Sequence, residues 1–134
     1  MSVVVGYVST PEGEAALAVA MGEARSRDVP LIVVLSERGH RSGTESAELQ
    51  AQVDDVRRRL DEAGISYDVR LTSRGRDVAE DIIAAAAGEG GVLIVIGLRR
   101  RSPVGKLLLG SNAQRILLDA PCPVLAVKPD ATSA

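Results

Sequence analysis

Gly97, Arg99, Arg100, Arg101, Lys106, Gly110, Ser111 and Asn112 fall within one short stretch of the chain, and their types suit the holding of an anion better than its cleavage. Guanidinium groups grip phosphate through paired hydrogen bonds. Small residues at a helix start leave backbone N–H groups and the positive end of the helix dipole open to the same anion. The alternative use of the arginines is a solvated basic loop, and that of Ser111 and Asn112 is to cap the helix they begin. Ser9 and Thr10, which follow the β-branched run Val3–Val8, carry the same double meaning of ligand contact or helix start.

The general phosphate motifs are absent. A Walker-type loop ending at Gly105-Lys106 would need an earlier glycine and a following hydroxyl where Arg100 and Leu107 stand, and no dinucleotide glycine fingerprint follows the first apolar run. His40, the single histidine, has no Ser, Asp or Cys partner at a recognisable spacing, and Cys122 is the single cysteine. Neither a nucleophile–base pair, nor a thiolate or imidazole metal cage, nor an intrachain disulfide is expected. Cys122, between two prolines, reads as a small packed side chain. The sequence therefore points to a binding or regulatory module with no catalytic or metal-ligating residues, not to an enzyme.

Charge narrows the partners. A formal net charge of −2 argues against nucleic acid or an anionic membrane surface. Arg57-Arg58-Arg59 sits among Asp54, Asp55, Asp61 and Glu62 as a mixed-charge helix face would. No apolar run approaches the ~20 residues that span a bilayer, and the first residues carry no basic leader, so a cytoplasmic location is expected.

The elements that must position these residues follow from periodicity. Val3–Val8 and Val124–Val127 read as short strands, Leu31–Leu35 and Val92–Ile96 as strands buried on both faces, and the alternating Tyr67–Leu71 as a strand near an edge. Between them lie helices whose inward faces carry Leu17, Ala20, Met21 and Ala24; Leu49, Val53, Val56 and Leu60; Val78, Ile82, Ile83 and Ala86; and Ala113, Ile116, Leu117 and Ala120. Strict β–α alternation predicts a single α/β domain over residues 1–129, with a five-stranded parallel sheet, helices on both faces and a loose tail at 130–134. In such a sheet ligands bind outside the carboxyl ends of the strands, here Val8-Ser9-Thr10, Ser36 and Gly97–Arg101.

Gly97, Gly110 and Ser111, followed by a helix and then by Pro121-Cys122-Pro123-Val124-Leu125-Ala126-Val127, resemble the ending of the universal stress proteins. That family's motif is glycine, two residues, glycine, nine residues, glycine, then serine or threonine. Val3-Val4-Val5-Gly6 and Glu14-Ala15-Ala16-Leu17 are similar to its opening strand and first helix, so the resemblance covers essentially the whole chain. It implies a flavodoxin-like (adenine nucleotide alpha hydrolase-like) layout with strand order 3-2-1-4-5, a homodimer formed through the last strand, a stress-response role with an unnamed protein partner, and in some members ATP, AMP or another adenine nucleotide. Two positions depart from the nucleotide-binding pattern. Val8 stands where an aspartate follows the first strand, and it can neither donate nor accept a side-chain hydrogen bond. Arg100 replaces the motif's second glycine, which permits close backbone approach to phosphate. The expectation is a non-catalytic stress-response module that contacts an adenine nucleotide through Gly97, Arg99, Arg100, Gly110, Ser111, Asn112, Ser9 and Thr10, without requiring a cofactor. The alternatives are a dimeric protein-interaction module that binds no nucleotide and a weak ATP hydrolase.

Overall fold

The structure is a computed structural model that describes residues 1–36, 44–72, 77–99 and 109–129. Strands and helices alternate as β1 (Ser2–Tyr7), α1 (Pro11–Arg27), β2 (Leu31–Ser36), α2 (Thr44–Ala63), β3 (Tyr67–Thr72), α3 (Val78–Gly88), β4 (Gly91–Gly97), α4 (Ser111–Asp119) and β5 (Val124–Val127). The five strands form one sheet in the order β3-β2-β1-β4-β5, and every neighbouring pair is parallel.

Successive strand residues serve opposite faces of the sheet, which is why the central strands are apolar throughout. Val3, Val5, Tyr7, Leu31, Val33, Leu35 and Val95 pack against Leu17 and Ala20 of α1 and Val53, Val56 and Leu60 of α2. Val4, Ile32, Val34, Ile94 and Ile96 pack against Ala79, Ile82 and Ala86 of α3 and Ile116 of α4. Cys122 is half-buried against this second layer, and burial pushes its thiol pKa up, as suits a packed side chain. β3 is an edge strand, as its alternation predicts. Among the described residues no helix is long and apolar enough to cross a membrane.

Local chemistry sets the boundaries next to the strand ends. β1 stops at Tyr7, one residue earlier than its β-branched run predicts, because the Thr10 N–H donates to the Val8 carbonyl at 2.9 Å and folds the chain into a turn. Thr10 then caps α1, its Oγ1 accepting from the Gly13 N–H at 3.1 Å, while Pro11 takes the first helical position, where no N–H is needed. At the far end Asp28 adopts a left-handed conformation, φ 55°, and its N–H returns to the carbonyls of Ala24 and Arg25.

The basic run on α2 has two uses. Arg58 pairs with Asp55 at 2.6 Å and Glu62 at 3.2 Å on the helix surface, the mixed-charge face read from the sequence. Arg59 instead reaches across to Glu14 of α1 at 2.9 Å, and Glu14 accepts a hydrogen bond from the Tyr7 hydroxyl. Burial, reinforced by the Glu14 carboxylate, pushes the Tyr7 pKa up to about 12. An unfolded tyrosine ionises near ~10. The stability that neutral Tyr7 contributes is therefore complete below pH ~10 and is lost as pH rises toward the folded value. Tyr7→Phe cannot ionise, so its melting temperature should fall less steeply than that of the parent protein between pH ~10 and ~12. Parallel alkaline slopes in the two proteins would refute this coupling.

Candidate functional site

A cavity of about 390 Å³ opens at the carboxyl ends of the strands. Its walls come from both helices of the second layer and from the strand ends: Val78 and Ile82 of α3, Ala113 and Ile116 of α4, Ile96 of β4, and Val8 just past β1. The polar groups at its rim are few, namely Glu12, Ser36 and Asn112, with Tyr7 at the end of β1. An apolar cleft with a small number of placed polar groups is the usual form of a small-ligand site.

Glycines bring the backbone close enough to shape this cleft. A Cβ on Gly13 would overlap the Val8 carbonyl oxygen, and one on Gly97 would overlap the Glu12 carbonyl oxygen, so the first turn of α1 lies directly against both the β1 turn and the end of β4. A Cβ on Gly6 would meet the Ile82 side chain at 2.7 Å. Gly97, read from the sequence as a phosphate-loop glycine, thus has a packing reason of its own.

The start of α4 adjoins the cavity. Gly110 is its N-cap, with φ −68° and ψ 166°, and no side chain closes the cap. Ser111 does not cap the helix, contrary to one of its two sequence readings. It is the first helical residue and is exposed, because Gly110 takes the extended cap conformation and its carbonyl accepts from the Gln114 N–H at 3.0 Å. The early N–H groups of a helix have no intrahelical partner, and among the described residues no cap side chain takes them, so this helix start has the character of an anion-binding end. Asn112, in the same turn, lines the cavity.

α4 is held against α3 by Arg115, which donates to Asp77 and Glu80, each at 2.9 Å. Asp77 in turn caps α3, accepting from the Ala79 N–H at 2.9 Å. One ion-pair cluster therefore bridges the two helices that wall the cleft.

Of the residues singled out from sequence, Gly97 and Asn112 line the cavity, and so does the departing residue Val8. Gly110 and Ser111 form the adjoining helix start. Thr10 spends its hydroxyl on capping α1, Ser9 is exposed beside it, and Arg99 is exposed just beyond β4; none of these three is part of the cavity wall. Arg100, Arg101, Lys106 and His40 lie outside the described residues. Sequence reasoning missed Glu12, Gly13, Ile82, Ala113 and Ile116 as site residues. Ile82, Ala113 and Ile116 were legible only as inward helix faces, and nothing local distinguishes a residue facing a cleft from one facing solid core.

Comparison with known proteins agrees with this geometry. The universal stress protein family model matches residues 1–128. A universal stress protein of Mycolicibacterium smegmatis is 42% identical over 127 residues, covering 95% of this chain and 97% of its own. Among solved structures, a universal stress protein from Archaeoglobus fulgidus superposes with a TM-score of 0.78 at 32% identity, covering 96% of this chain and 98% of that one. A structure of the universal stress protein from Archaeoglobus fulgidus in complex with dAMP gives a TM-score of 0.75 at 28% identity, with the same coverage. With its fold and this match over nearly the full length, the chain belongs to the universal stress protein family.

Proposed function

We propose that this chain is a non-catalytic regulatory module of the stress response that binds an adenine nucleotide at the carboxyl ends of its strands. The observation that carries the reading is the continuity of an apolar cleft of about 390 Å³ with a helix start whose N-cap is a glycine and which no side chain among the described residues caps. The flat base fits between Val8, Ile82 and Ile96, and the phosphate meets the N–H groups that follow Gly110. The dAMP complex of a relative 28% identical to this chain supports the same class of ligand. Val8 puts an aliphatic wall where a carboxylate could have held a metal or a proton, which favours binding without turnover.

Titration calorimetry with AMP, ATP and cyclic AMP, with and without magnesium, tests this reading on protein freed of carried-over ligand. Saturable binding without phosphate release is the expected result. The cleft also contains Glu12, whose carboxylate opposes a phosphate, and this favours a second reading as a protein-interaction module. Silence with all three nucleotides would select that second reading, and phosphate release dependent on the cleft would select a hydrolase.

The proposed module acts as a homodimer through β5, in the cytoplasm, on a protein partner whose identity the site does not encode. β5 is the sheet's free edge beside β4, and α4 and β5 leave Leu117, Leu118 and Leu125 exposed, Leu118 at 83%. An open edge flanked by exposed leucines is a surface that pairing would cover. Analytical ultracentrifugation should give a dimer, and the Leu118→Glu/Leu125→Lys double variant a monomer of unchanged helix content. A parent protein that sediments as a monomer at high micromolar concentration would remove this part of the proposal.

A further inference from the structure

α4 spans nine residues, and a helix of that length is unstable alone in water, so its place depends on what it packs against. Its one fully buried side chain is Ile116, with Ala113 and Ala120 packed less deeply against the same layer. The helix it packs on is α3. On the solvent side Arg115 joins the two. Its Nη1 donates to Asp77 Oδ2 and its Nη2 to Glu80 Oε1, each at 2.9 Å, while Asp119, one turn further along α4, lies 3.8 Å from its Nε.

This fork borders the cleft on both helices. Ala113 and Ile116, close to Arg115 in α4, line the cleft, and so do Val78, next to Asp77, and Ile82, two residues beyond Glu80. The second oxygen of Asp77 accepts from the Ala79 N–H and so fixes the start of α3. A single guanidinium thus ties the capped start of α3 to the middle of α4. Lone exposed ion pairs contribute little to stability, but a fork shared between two carboxylates of another helix is the geometry in which such pairs count. Without the guanidinium, Asp77, Glu80 and Asp119 would be left as three like charges along the seam between the helices.

Resting on the nucleotide reading above, we propose that Arg115 is a positioning residue for that site: by tying α4 to α3 it holds Asn112, Ala113, Ile116 and the helix start in the arrangement that receives the ligand. Arg115 does not line the cavity and acts only through α4.

Titration calorimetry with AMP tests this on the parent and two variants, with amide hydrogen exchange read over residues 111–119. Arg115→Ala should weaken AMP binding about three- to tenfold, the effect of losing a two-pair network, and should speed exchange in α4 while leaving exchange in α1 as in the parent. The double swap Arg115→Glu/Glu80→Arg keeps the net charge and restores an opposite-charge pair between the helices. It should recover most of the parent's affinity and slow the exchange again. A role in stability alone would lower the melting temperature of Arg115→Ala and leave its AMP affinity at the parent's value; that result overturns the inference and leaves the nucleotide reading intact. A swap variant that binds as weakly as Arg115→Ala overturns it too. A parent protein that does not bind AMP overturns the nucleotide reading and this inference with it.

Discussion

A Gly13→Ala variant is expected to lose about 3–5 kcal/mol of stability, a fall of roughly 10–20 °C in melting temperature for a domain of this size. The cause is backbone against backbone. The added methyl would overlap the carbonyl oxygen of Val8, and the Val8 Cγ2 is also within 2.9 Å of its position. That carbonyl cannot rotate away freely, since it accepts from the Thr10 N–H at 2.9 Å, while Thr10 is tied forward to the Gly13 and Glu14 N–H groups at 3.1 and 2.8 Å. Relief requires the first turn of α1 to lift from the β1 turn, and that turn also lies against Gly97. Gly22→Ala is the control on the same helix. Its methyl meets open space, so the alanine should stabilise by about 0.5–1 kcal/mol through helix propensity alone. Thermal melts of the two variants side by side check the contrast. A Gly13→Ala protein that melts within a few degrees of the parent would show that the turn yields far more easily than its hydrogen bonds imply.

Ala113→Phe is expected to abolish nucleotide binding, a loss of at least about a hundredfold, while leaving the fold in place. Ala113 lies in the first turn of α4, half-buried, and shares the cleft with Asn112, Ile116 and, from α3, Ile82. A phenyl ring there occupies volume proposed for the base. It enters an existing cleft and not a close-packed core, so the overpacking penalty of a solid interior does not apply. Melting temperature should therefore hold or rise as affinity disappears, which separates blocked binding from unfolding. Calorimetry with AMP reads the affinity and circular dichroism the fold. Parent-like AMP affinity in Ala113→Phe would move the site elsewhere on the molecule.

Gly97 was legible as a site residue because it closes an apolar run and precedes basic residues, and the structure adds the close approach of Glu12. Gly13 offered no such cue. A glycine within a helical pattern reads only as a weak point until the Val8 carbonyl is seen against it. Thr10 and Ser111 had the same two readings from sequence, ligand contact or cap, and the structure separated them. Thr10 caps its helix, whereas the cap position before α4 falls to Gly110, which has no side chain to cap with.

By itself the sequence determined the element types, the burial of the central strands and the edge position of β3. Those depend on periodicities of two and 3.6 residues that any local window carries. The strand order came through resemblance to a known family, and the sheet bears it out. Only the tertiary structure decided which apolar side chains face a cleft and which face solid core, and which hydroxyls are already engaged. Ile82, Ile96 and Ile116 are chemically alike, and they become cleft walls because two helices, bridged by Arg115, meet the ends of strands far away in the chain. Thr72 is one more strand-end threonine until its register with Ser36 is known, and with it a buried hydroxyl that has no partner among the described residues. Both facts arise from contacts between segments that no local pattern relates, so they belong to the folded molecule.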